Sequence, residues 1–147
     1  MPVPLVYELM PSATVNVLRA VCLTLAAVVF IGSGVLHLAR PGVYEQIVPP
    51  GFGPPALIVF VSGIAEIAGG VGLLVPRLRR SAGFGLIALL VAVFPANLFM
   101  AMHADRFPQF SPWTLWARLP LQPLMVAWIW WCAIRRNMDR QAMMNDD

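Results

Sequence analysis

Apolar residues run along the chain in four long blocks, separated by short segments rich in proline, glycine and arginine. The first block, about 20–39, reads AVCLTLAAVVFIGSGVLHLA; the second, about 57–75, LIVFVSGIAEIAGGVGLLV; the third, about 82–102, AGFGLIALLVAVFPANLFMAM. Each is close to the ~20 apolar residues that carry a helix across a bilayer core. The fourth block, LPLQPLMVAWIWWCAI, is shorter. Upstream of it, Ser111-Pro112 reads as an N-cap followed by proline at the first helical position. The pattern therefore predicts a fourth helix over about 112–136, kinked by Pro120 and Pro123. The expected fold is an all-α membrane protein, a four-transmembrane-helix bundle with Pro/Gly-rich extracytoplasmic loops, forming a single domain over residues 1–147.

The connections are unequal. The first, RPGVYEQIVPPGFGPP, holds five prolines and three glycines and cannot be one regular helix. With Tyr44, Ile47, Val48 and Phe52 it is expected to fold as a lid over the mouth of the bundle, completed by the third connection, HADRFPQF. The second, PRLRR, is a tight turn. Arginines set the orientation. Arg19, Arg77, Arg79, Arg80, Arg135, Arg136 and Arg140 fall on one side, and Arg40, Arg106 and Arg118 on the other. This places both termini in the cytoplasm and the lid outside. Trp113 and Trp116 then sit in the outer interfacial belt, Trp130 and Trp131 in the inner one. The first block has a weak n-region and no A-x-A cleavage site at a sensible distance, so it reads as an uncleaved span.

Composition supports this picture. Of the 147 residues, 59% are hydrophobic and 12% charged, with a mean hydropathy of +0.75. Soluble domains run near 45–50% and about 25%. A soluble enzyme, a disordered chain and a disulfide-stapled secreted module are thereby excluded. The net charge of +3 comes from ten scattered arginines with no basic face near aromatics, so no nucleic-acid partner is expected. Cys22 and Cys132 are far apart in the chain and in no C-x-x-C, which reads as two buried small apolar residues rather than a redox dithiol. No metal-ligand spacing, nucleophile motif or phosphate loop is present. His37 and His103, at neighbouring helix ends, are weak haem candidates.

Polar residues at membrane depth carry the information, because an ionisable group there is costly and usually faces the bundle interior or a cavity. The candidates are His37, Glu66, Asn97, Arg118 and Gln122. At 1.5 Å per residue, Glu66 falls about 13 Å below the outer end of its helix, Asn97 about 8 Å, Arg118 about 9 Å and Gln122 about 15 Å. All five occupy the outer half. Ser62, Glu66 and Gly70 share a helix face, with Gly63 beside them; Arg118 and Gln122 share another. Pro95 lies two residues before Asn97 and should kink the third helix. Two readings follow. In one, a Glu66–Arg118 ion pair with Asn97 and Gln122 locks the helices together. In the other, the set heads a cavity under the lid, open to an amphipathic ligand.

The pieces GSGVLHLARPG around His37, VPPGFGPPALIVFVSGIAEIAGGVGLLVP around Glu66, FPANLFMA around Asn97 and WARLPLQ around Arg118 occur in the order seen in the DoxX family of small bacterial membrane proteins. The chain resembles that family over roughly residues 30–130. The resemblance implies a four-helix bundle in the bacterial inner membrane and a redox association. Some relatives are named as subunits of a thiosulfate:quinone oxidoreductase. The chain departs from a catalytic subunit in lacking a redox-active Cys pair.

The leading expectation is thus an accessory redox-associated protein that binds a quinone or another membrane lipid in the outer half of the bundle, beside a redox partner subunit. Arg118, Gln122 or Asn97 would donate to a quinone carbonyl, and Glu66 would carry protons. The alternatives are a small proton-coupled transporter using Glu66 and a structural or assembly protein.

Overall fold

The computed structural model describes residues 12–135. They form helix α1 (Ser12–Ala39), the short α2 (Pro41–Glu45), α3 (Pro55–Leu74), α4 (Arg79–Met102) and α5 (Pro112–Ile129). A single 3₁₀ turn, Ala104–Arg106, follows α4, and α5 runs on into a wide π turn, Trp130–Arg135. No strand occurs among the described residues. Three helical stretches are long and apolar enough to cross a membrane: Ala13–Ala39, Pro55–Leu74 and Arg79–Met102. The fourth expected span ends its α-helical part at Ile129, and with Arg118, Gln122 and two prolines α5 is less apolar than the others. Arg136 and Arg140, used in the orientation argument, lie outside the described residues.

Helix boundaries follow local chemistry. Pro41, Pro55 and Pro112 each stand at the start of a helix, where the missing N–H costs nothing and φ is already helical. Gly51 and Gly53 turn the chain between α2 and α3 with φ of 91° and 117°, a region closed to most side chains. At the far end of α3, the Arg79 guanidinium Nε donates to the Leu73 carbonyl at 3.1 Å, satisfying an end-of-helix acceptor.

Helix α1 packs along α3, α3 against α4, and α4 against α5 and the π turn, which in turn touches α1. Glycine sets the α1–α3 spacing. A Cβ on Gly34 would lie 2.5 Å from the Gly63 carbonyl oxygen, and one on Gly70 would lie 2.7 Å from Ile31. Only bare backbone permits so close an approach.

Two apolar clusters bracket the space between the helices. The larger, at the π-turn end, includes Leu23, Ala26, Phe30, Leu73, Leu86, Ile129, Cys132 and Ile134. The smaller, at the opposite lid end, joins Met100, Ala101, Phe107 and Leu115. Phe107, from the connection after α4, is fully buried there. Tyr44, Ile47 and Val48 of the first connection fold inward as expected of a lid. Phe52 does not: it stays 58% exposed, beyond the turn made by Gly51 and Gly53.

One sequence expectation changes. Arg19 is not a flanking surface charge but lies inside α1, only 8% exposed, with its Nε donating to the Cys132 carbonyl at 2.6 Å. Arg19 thereby ties α1 to the π turn that follows α5. Cys22 and Cys132, remote in sequence, pack into the same apolar cluster, both as free thiols.

Candidate functional site

Between the two apolar clusters lies a cavity of about 240 Å³. Its wall includes all five polar residues singled out above: His37 from α1, Glu66 from α3, Asn97 from α4, and Arg118 and Gln122 from α5. Ser33, Tyr44 and Ser62 add further polar groups. Ile47, Val48, Ile58, Val59, Leu90 and Val93 supply apolar wall.

The glycine contacts put His37 opposite Glu66. Gly63 meets the Cβ of His37, and Gly34 meets that of Glu66. Across this tight crossing, His37 Nδ1 lies 3.3 Å from Glu66 Oε2. The same nitrogen is 2.9 Å from the Ser33 carbonyl. A carbonyl only accepts, so Nδ1 carries a hydrogen and directs it one turn back along α1. The contact with Glu66 is therefore close but not aligned as a hydrogen bond, and Oε2 is buried without a donor among the described residues. The imidazole also stacks on Tyr44, with centroids 3.8 Å apart and planes 22° from parallel. Burial, with the Glu66 carboxylate nearby, raises the Tyr44 phenol above its ordinary value, against the opposing pull of Arg118 and Arg40. Tyr44 thus presents a neutral hydroxyl.

The Glu66–Arg118 ion pair of the first reading is absent among the described residues. Among the described residues Arg118 has no carboxylate within 4.0 Å. Its guanidinium instead donates from Nη1 to the Met100 thioether at 3.6 Å and lies 5.2 Å over the Phe110 ring. The reason is geometric: α3 packs on α1 and α4, while Arg118 on α5 reaches up to the lid cluster. Thioether sulfur is a weak acceptor, so the guanidinium keeps donors for a ligand.

Asn97 and Gln122 form a separate pair. Asn97 Nδ2 donates to Gln122 Oε1 at 3.3 Å, and Gln122 Nε2 donates to the Leu90 carbonyl. Leu90 sits one turn before Pro95, whose ring cannot donate to Val91 and loosens the ladder there. Ser62 donates to the Val59 carbonyl at 3.0 Å.

A family model described as "Domain of unknown function (DUF8561)" matches residues 25–133 of the 147. The chain belongs to the DUF8561 family. All five polar candidates of this DUF8561 protein fall within the matched stretch, whereas Arg19 precedes it. No curated protein and no solved structure matches the chain.

Sequence reasoning named Tyr44 and Ser62 only as a lid and a face neighbour, and it missed Ser33. Its signal was the i, i+4 relation to His37, which puts the Ser33 carbonyl under the ring. His103 does not line the cavity; its Nδ1 lies 2.9 Å from the Phe99 carbonyl, where α4 ends.

Proposed function

We propose that this DUF8561 protein is an integral protein of the bacterial inner membrane, with four spans and both termini in the cytoplasm. It serves as an accessory, redox-associated subunit of the DoxX type, holding a quinone or another lipid head group in the lid-end cavity. One observation carries this reading. Residues from four helices converge on one cavity, and two of them, Arg118 and Glu66, retain unused hydrogen-bonding capacity.

The α5 helix and π turn together run over 24 residues, Pro112–Arg135, about 36 Å of helix at most. That is enough for a fourth span of a core about 30 Å thick. Arg77, Arg79 and Arg80 cluster in the short α3–α4 turn, which supports a cytoplasmic position for it.

The residues suit a quinone. Its carbonyls accept hydrogen bonds, and the Arg118 guanidinium and the Asn97 and Gln122 amides offer donors. The apolar wall suits its ring. When bound, the quinone supplies two-electron, two-proton chemistry. The chain's own part is to orient the head through Arg118 and Gln122, to exclude water beneath the lid, and to hold a proton at Glu66 beside His37. The test is mass spectrometry of the organic extract of detergent-purified protein against a mock membrane extract. Stoichiometric quinone, lost in E66Q and R118A, supports the reading; bulk phospholipid alone overturns the quinone assignment.

A buried carboxylate oxygen without a donor also suits a proton-coupled transporter. Substrate-driven proton flux in proteoliposomes, abolished by E66Q, would favour that second reading.

A further inference from the structure

The polar cavity has a neighbour. Leu90 and Gln122 line it on one side and line a second hollow, of about 440 Å³, on the other. The remaining walls of this second hollow are Val91, Phe94, Pro123 and Val126, all apolar. It lies between α4 and α5 on the outside of the helix pair, where Val91 is 64% exposed. Both helices are weakened along it. Pro95 leaves the Val91 carbonyl without its usual donor, and Pro123 does the same to Leu119. The polar side chain between the two spaces is Gln122, latched by Asn97 and by the Leu90 carbonyl.

We propose that the α4–α5 groove is the chain site of the ligand whose head occupies the cavity, and that Gln122 is the gate between them. The ligand class is a lipid with a small carbonyl-bearing head and one long isoprenoid or alkyl chain. This rests on the reading of the cavity as a lipid-head site. Three observations carry it. The cavity, at about 240 Å³, is below the 300–1,000 Å³ usual for a complete drug-sized ligand, so it takes a head and not a whole lipid. The lid end holds the packed apolar cluster of Met100, Phe107 and Leu115, which an apolar chain leaving through that cluster would have to displace. The groove beside Gln122 is apolar, open outward and next to the head space. A membrane-dissolved lipid then enters sideways, between α4 and α5. Hydrocarbon loses little in moving from lipid to a Val/Phe-lined groove and gains little. The head therefore sets affinity, and the groove selects which molecules can enter.

The test compares a decyl-tailed benzoquinone with its tail-less parent, by equilibrium binding to the full chain in nanodiscs. V91W and V126W fill the groove at residues that do not line the cavity. Each is expected to weaken the tailed quinone about tenfold or more, which is about 1.4 kcal/mol. Each should leave the tail-less parent within about twofold. R118A should weaken both quinones alike. If R118A weakens both and neither tryptophan variant discriminates between them, the groove assignment fails and the cavity reading stands. Loss of both ligands in both tryptophan variants likewise overturns a chain-specific role. If R118A changes neither, or the unmodified protein binds neither quinone, the cavity reading fails and the groove assignment with it.

Discussion

The α1–α3 crossing makes a quantitative prediction from two glycines in one helix. Gly34 is buried against α3, and a Cβ there would meet the Gly63 carbonyl oxygen at 2.5 Å and Ile67 Cγ1 at 2.7 Å. Gly32, two residues earlier in α1, is exposed, and a Cβ there meets nothing within 4 Å. Replacing either by alanine gives the same gain in helix propensity, about 0.5–1 kcal/mol. At Gly34 the added methyl must also push α3 away by close to 1 Å to reach ordinary contact, an overpacking cost of about 1–3 kcal/mol. G32A should therefore match or exceed the parent stability, and G34A should fall about 1–3 kcal/mol below G32A. The propensity term cancels in that difference, leaving the crossing alone. The assay is reversible unfolding in mixed detergent micelles, with both variants prepared in parallel. Because the shift also separates His37 from Glu66, now 3.3 Å apart, G34A should lose ligand binding more than G32A does. Equal stability of G32A and G34A would refute the claim that bare backbone contact sets the spacing.

A double-mutant cycle on unfolding free energy should give a coupling between H37A and E66Q of about 0.5 kcal/mol or more. Between E66Q and R118M it should be smaller, because those side chains are not paired; the reverse order would restore the Glu66–Arg118 lock. Arg19 anchors the π turn through the Cys132 carbonyl, so R19M should cost about 1.5–3 kcal/mol. R19K should not rescue it, since lysine has no Nε–H placed for that carbonyl. Tyr44 is held above its ordinary value of 10.0, so the folded protein keeps the phenolic proton at a pH where the unfolded chain has lost it. Stability should thus decline as pH rises above about 10, and Y44F should flatten that decline in an alkaline unfolding series.

Much of this protein was legible in its sequence. Long apolar blocks predict long helices because a bilayer-scale apolar run has few other ways to satisfy its backbone. All four blocks reappear as helix: α1, α3 and α4, with ends shifted by a few residues apart from α1, which starts well before its block at Ser12, and the fourth as α5 running on into the π turn; three of them are long and apolar enough to cross a membrane. The five polar candidates were legible for a related reason: rise per residue fixes depth along a helix, so residues at matched depth were bound to lie in one layer. Depth does not say which side chains meet. That depends on how each helix is rotated and how near its neighbour comes. Gly34 and Gly63 bring α1 close enough to α3 to give Glu66 a histidine beside it instead of an arginine. Arg118, on α5, is carried to Met100 and Phe110. The same limit hid Arg19. Its acceptor lies 113 residues away in the π turn, and no local pattern around Arg19 encodes that. Sequence periodicity and rise determined the elements and the layer in which their polar groups lie; interhelical distance and rotation, properties of the packed whole, decided the partners.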